Sequence, residues 1–204
     1  MPQTLSRRPL MHARQAQKVK VWDPVLRIFH WSLATLVIAN WLLGKFGPTV
    51  KTYHFWIGYT ILGLVIFRII WGIIGPDPAR FVNFLRGPKA TLAYMRHLPR
   101  RQPSLSPGHN PMGALSVIAI LLVLLWQVGS GLVMDPDDFI NVGPLADQVS
   151  RDINRSAVGW HSLGADLIFV VVVLHIAAIA FYRIWKHEDL VRPMITGWKW
   201  VRKG

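Results

Sequence analysis

The sequence contains no cysteine. Its absence excludes disulfides, iron–sulfur clusters, thiolate zinc sites and covalently attached c-type haem, which needs a C-x-x-C-H motif. Charge is also scarce, at 16% of residues against about 25% in ordinary soluble domains. Acids are the scarcer sign: 10 Asp and Glu stand against 23 Lys and Arg, a net charge of +13. No A-x-A cleavage site follows the basic N-terminal stretch, so residues 1–25 read as a retained cytoplasmic tail. No internal repeat, low-complexity segment, phosphate-binding loop or nucleophile–base pair is visible.

Apolar residues are abundant. They make up 52% of the chain, and ten are Trp, a residue that favours the membrane–water boundary. Four runs are long enough to cross about 30 Å of hydrocarbon at about 1.5 Å per residue. They cover residues 26–46, 54–75, 112–134 and 158–182. Gly47-Pro48, Gly75-Pro76 and Pro136 mark exits. The third run carries no charge, the second only Arg68 and the fourth only Asp166. The expected fold is an all-α integral membrane four-helix bundle over residues 26–182, followed by a basic tail, 183–204. Ile195, Trp198, Trp200 and Val201 alternate with Lys and Arg in that tail, which is either an interfacial amphipathic segment or a frayed end.

The basic residues fall in blocks between the apolar runs, unlike the basic stripe of a nucleic-acid reader, so no nucleic acid is expected. Their distribution predicts orientation. The two tails and the loop between the second and third runs hold 18 Lys and Arg, and the other two loops hold 4. The positive-inside rule then places both termini in the cytoplasm. The longer outer loop is acidic, with Asp135, Asp137, Asp138, Asp147 and Asp152.

Polar groups within a span are costly and mark function. His30 lies about a turn into the first run, and His54 opens the second. His161 and His175 lie 14 residues apart in the fourth. That spacing is about 40° short of four full turns and about 21 Å along the axis, so one helix face offers two imidazoles at two depths. His30 matches the depth of His175, and His54 that of His161. Two neutral imidazoles facing each other across a bundle suit a six-coordinate haem iron, which moves electrons and does not bind oxygen. His54 and His161 are the only histidines expected at the outer side, so an outer bis-His haem within one chain requires both. Gly58, Gly164, Ala177 and Ala178 are small residues that let a macrocycle approach. A hydrogen-bonded packing role explains one such His as well; four at two matched depths favour ligation.

The string Val21-Trp22-Asp23-Pro24-Val25-Leu26-Arg27-Ile28-Phe29-His30-Trp31 resembles the opening of the bacterial cytochrome b561 family. More narrowly, it is similar to the b-type cytochrome subunits of nickel–iron hydrogenases. The likeness continues in Tyr53-His54-Phe55-Trp56-Ile57-Gly58-Tyr59, in Gly108-His109-Asn110-Pro111-Met112-Gly113-Ala114 and in Gly159-Trp160-His161-Ser162-Leu163-Gly164. The resemblance implies two non-covalent haem b groups, an inner one on His30 and His175 and an outer one on His54 and His161. It also implies a quinone as the membrane-side redox partner, in a multi-pass protein of the bacterial inner membrane.

Other positions stay open between two readings. Arg68 either pairs with an inner haem propionate or snorkels to the headgroups. His109 and Asn110 either line a quinone or propionate site or merely form the turn into the third run. Lys51 and Arg155 either meet outer propionates or are solvated loop charges. Asp166 is either a proton relay or a carboxylate with a local bond. His12, His97 and His187 are assigned no role. Trp31, Trp41, Trp56, Trp71, Trp160 and Trp185 read as interfacial anchors. Three functions follow in order. The first is a transmembrane electron conduit between the quinone pool and a redox partner protein: a dehydrogenase, a hydrogenase-like enzyme or a c-type cytochrome. The second is a stand-alone superoxide:ubiquinone oxidoreductase. The third is a non-redox membrane anchor or haem carrier.

Overall fold

The computed structural model describes residues 16–49, 51–101 and 108–202. His12 and most of the N-terminal tail lie outside these. Four long helices dominate: α1 (Pro24–Phe46), α2 (Thr52–Ile74), α5 (Pro111–Val133) and α6 (Arg151–Ile184). Each is apolar and long enough to cross a membrane. Two short helices, α3 (Phe81–Phe84) and α4 (Pro88–His97), fill the connection between α2 and α5.

Local chemistry sets the ends. Asp23 caps α1 by accepting the Leu26 N–H at 2.9 Å, and Pro24 occupies the first turn, where no N–H is needed. Asn110 and Pro111 do the same for α5, with Gly113 N–H donating to Asn110 at 2.9 Å. Gly47-Pro48 and Gly75-Pro76 stop α1 and α2. Ser150 caps α6, which therefore begins ahead of its apolar run and takes Arg155 and Ala157 into the helix.

The four helices meet on one stripe each. Val37 of α1, Ile61 and Val65 of α2, Leu121 and Leu124 of α5 and Ile168 of α6 form the central core. At most 22% of the apolar window of any long helix is buried, so most of its surface needs lipid as solvent. Lys45 bridges α1 to Asp166 of α6 at 3.0 Å, which gives that carboxylate a local partner.

The all-helix expectation misses one feature. Strand β1 (Ala16–Lys20) pairs antiparallel with β2 (Trp198–Arg202), Lys18 opposite Trp200 and Lys20 opposite Trp198. Helix α7 (Val191–Thr196) leads into β2 through Gly197, whose φ of 85° suits a residue without Cβ. Gly197 O accepts from the N–H groups of Val21 and Trp22, at 2.8 and 3.2 Å. Lys199 and Glu188 form a 2.6 Å ion pair with side chains only 10% and 4% exposed. The two ends of the described chain are thus clasped at one end of the bundle.

Candidate functional site

The four histidines of the long helices fall into two pairs. His30 of α1 and His175 of α6 have ring centres 6.4 Å apart at 46°. This pair lies at the end of the bundle that carries the clasp. His54 of α2 and His161 of α6 have ring centres 5.9 Å apart at 81°, toward the opposite end. Each pair draws one imidazole from α6. Among the described residues no cluster of three or more His, Asp or Glu forms.

Backbone carbonyls orient the His54–His161 pair. His54 Nδ1 lies 3.1 Å from the carbonyl of Asn40, and His161 Nδ1 lies 3.0 Å from that of Gln127. A carbonyl only accepts, so each Nδ1 carries the proton and each Nε2 keeps its lone pair. The two arrangements match. One turn after Asn40 stands Gly44, where a Cβ would lie 3.2 Å from His54 Cε1. One turn after Gln127 stands Gly131, where a Cβ would lie 2.9 Å from His161 Cε1. Each helix thus offers a carbonyl to hold a ring and a bare Cα to seat it. Ser130 Oγ adds a contact at 3.3 Å to His161 Nδ1.

A cavity of about 350 Å³ lies beside this pair, lined by His54, His161, Asn40, Gln127, Gly58 and Lys51 among others. The Gln127 carboxamide approaches His161 Nε2 at 3.1 Å, and its Oε1 is buried without a partner. A side chain at Gly164 would collide with that amide. Lys51, half-buried, has its Nζ 3.4 to 3.5 Å from the carbonyls of Leu43, Gly44 and Gly47, where it covers the end of α1. Arg155 is exposed and lies 4.0 Å from Asp137.

The His30–His175 pair is supported differently. Ser116 Oγ lies 3.3 Å from His175 Nδ1, while His30 Nδ1 is buried with no partner. Arg68 is 3% exposed, so it does not snorkel. Its Nη2 donates to Ala79 O at 3.2 Å and its guanidinium lies over Phe81 at 4.7 Å, but Nη1 is buried and unpaired. His109 packs between Trp22 and Phe84, with ring centres 4.6 and 4.5 Å away. Burial first, and then the charge of Arg68, push its pKa down from 6.5 to about 3, so its ring is neutral. His109 Nδ1 and Trp71 Nε1 are also buried without partners. Asn110, by contrast, is committed to the α5 cap and bonds Tyr182, whose hydroxyl lies 2.8 Å from that of Tyr94.

Asn40, Gly44, Ser116, Gln127, Ser130 and Gly131 escaped the sequence reading. A signal existed for the polar residues of α5: Ser116, Gln127 and Ser130 interrupt a run with no charge. The glycines are small residues within spans, a mark of close approach.

Comparison with known proteins agrees with this picture. The profile described as Prokaryotic cytochrome b561 matches residues 21–197. A probable Ni/Fe-hydrogenase B-type cytochrome subunit of Azotobacter chroococcum mcd 1 is 24% identical over 91% of this chain and 90% of its own. One from Cupriavidus necator is 27% identical over 88% and 86%. A probable superoxide oxidase CybB of Yersinia pestis is 26% identical over 81% and 90%. No solved structure matches. With nearly the whole described bundle inside the family profile, the chain belongs to the prokaryotic cytochrome b561 family, membrane b-type cytochromes that hold haem b and transfer electrons.

Proposed function

We propose that this chain is a di-haem b-type cytochrome that passes electrons between a redox partner protein and the membrane quinone pool. The observation that carries the reading is the spacing of the two imidazole pairs. An iron held by one nitrogen of each ring at about 2 Å needs ring centres about 6.3 Å apart, given the size of the ring. The observed 6.4 and 5.9 Å support such a fit at both ends of the bundle. Haem b, where bound, supplies a one-electron couple. His30 and His175 would hold one group, and His54 and His161 the other. Asn40 and Gln127 fix the tautomer and rotation of the second pair through their carbonyls. The two sites stand about 21 Å apart along α6, from the 14-residue spacing of its histidines.

Arg68 Nη1, an unpaired buried donor, and the unpaired buried Nδ1 of His109 lie at the His30–His175 end, and we assign them to a propionate or a quinone. Asn110 would act there by holding the turn that carries His109. In this reading the clasp end faces the cytoplasm of a bacterial cell, with residues 26–182 as the di-haem domain and the tails on either side. The acidic outer loop and the likeness to hydrogenase cytochrome subunits both support a separate redox partner. The deciding experiment is a haem-to-protein ratio with reduced-minus-oxidised spectra on the purified chain. Two low-spin b haems are expected, with His54→Ala and His30→Ala each removing a different one. No haem, or one haem lost by neither variant, overturns the reading.

A second reading, superoxide:ubiquinone oxidoreductase, draws support from Lys51, which is in the wall of the cavity beside His54 and has no carboxylate partner among the described residues, and from the Yersinia relative. A cation there would attract a small anion. Stopped-flow mixing of the oxidised protein with superoxide tests it. Haem reduction no faster than the spontaneous rate sinks it.

A further inference from the structure

The β1–β2 clasp has two unlike faces. Opposed residues of an antiparallel pair share a face. The register puts Gln17, Val19 and Lys199 on one side. On that side Lys199 is buried against Glu188 and Val19 is half-buried, while Gln17 at the margin is exposed. The other side carries Lys18, Lys20, Trp198 and Trp200, and all four are exposed. Trp198 is 42% exposed and Trp200 61%, and Lys18 Nζ stands 5.3 Å from the Trp198 ring. The nearest acid in the clasp, Glu188, is on the opposite face and already paired.

Helix α7, which leads into β2, adjoins the exposed side of α1. The Met194 carbonyl accepts from Trp31 Nε1 at 3.3 Å, and the Ile195 carbonyl accepts from Arg27. Those donors sit among Val25, Ile28 and Trp31, apolar residues of the first turns of α1 that are 42%, 68% and 45% exposed. Ile195 is itself 58% exposed beside them. Through α7 and Gly197 the clasp is held at the start of α1, beside the exposed apolar residues with which that helix enters the hydrocarbon. Two indoles flanked by two ammonium groups at that level match the headgroup zone. Indoles rest at the boundary between acyl chain and water, and ammonium groups meet lipid phosphates.

We propose that the Lys18–Lys20–Trp198–Trp200 face is a seat for anionic phospholipid headgroups, which hold the paired chain ends on the membrane surface. The seat does not depend on haem, so its failure would leave the electron-transfer reading untouched. It also gives the pairing a purpose: β1 and β2 each bring one lysine pair or one tryptophan pair, and only the clasped register makes a mixed face.

The test uses the full chain in bilayers where one lipid at a time carries shallow bromine atoms, which quench indole fluorescence on contact. The signal of the two clasp tryptophans is the difference between wild type and the Trp198→Phe, Trp200→Phe double variant. Brominated phosphatidylglycerol is expected to quench that difference signal roughly twofold more than brominated phosphatidylcholine at equal content. Lys18→Gln with Lys20→Gln should abolish the preference, Lys18→Arg with Lys20→Arg should retain it, and high salt should weaken it. Two outcomes overturn the proposal. Quenching by neither lipid would mean that the face stands in water, available to a protein. Equal quenching by both, unchanged in the Gln variant, would mean contact without recognition of charge.

Discussion

A Cβ placed on Gly131 would lie 2.9 Å from Cε1 of His161, closer than side-chain atoms tolerate. The ring has little room to retreat, because the Gln127 carbonyl holds its Nδ1 at 3.0 Å. Gly131→Ala should therefore displace His161, the proposed haem ligand, without altering its chemistry. We expect the haem-to-protein ratio of the variant to fall by roughly half, with the His30–His175 site still loaded. Gly44→Ala meets His54 Cε1 at a looser 3.2 Å and should lose only part of its haem. Difference spectra on both purified variants check the order. Full loading in Gly131→Ala would show that the helices yield at this point.

Arg68 brings a full positive charge to the His30–His175 end, where it is only 3% exposed. A buried cation favours the reduced, more negative form of a nearby redox group. Arg68→Gln keeps a donor for the Ala79 carbonyl and removes the charge. The midpoint potential of the haem at that end should drop by tens of millivolts, on the order expected for a partly screened charge. Redox titration in a His54→Ala background, where only that haem remains, isolates the effect. An unchanged potential would place Arg68 too far from the redox centre to act on it.

Glu188 and Lys199 make the one ion pair among the described residues whose two side chains are both nearly closed to solvent. Glu188→Gln would remove the carboxylate paired with a buried ammonium, a loss of about 3 kcal/mol when such a pair is broken. The clasp has only five residue pairs to resist that cost. We expect trypsin to cut faster after Lys18 and Lys20 in the variant than in wild type. Equal rates would mean that the pairing of β1 with β2 stands without the ion pair.

The four long helices and the four histidines were legible because both signals are local. An apolar run of membrane length shows itself without its neighbours, and 14 residues on one helix fix a relative direction. What was not legible depends on how one helix is turned against another. Asn40 and Gln127 act through backbone carbonyls, which every residue possesses, so their side chains advertise nothing. The clasp joins residues 16–20 to 198–202, a pairing between segments of five residues at opposite ends of the chain. Alternation of Lys with apolar residues in both segments hinted at strands, but no local rule names a partner. Arg68 shows the same limit. From the sequence a guanidinium in a span reads equally as a propionate partner or as snorkelling, and only the fold places Phe81, Phe84 and the Ala79 carbonyl around it.

His109 supplies a pH dependence with a definite sign. In the folded chain its pKa is pushed down to about 3, and in the unfolded chain it returns to its ordinary 6.5. Between those values the unfolded chain binds a proton that the folded chain refuses. Stability from this residue is therefore complete above pH 6.5 and is lost as pH falls toward 3, by at most about 1.4 kcal/mol per pH unit. His109→Phe removes the titrating nitrogen and keeps a ring between Trp22 and Phe84. The thermal midpoint of wild type should fall more steeply than that of the variant between pH 6.5 and 4.5. Carboxylates titrate in both proteins and cancel in the comparison. Parallel slopes would show that His109 takes up its proton in the folded state, which the buried position beside Arg68 forbids unless an acceptor sits against its ring.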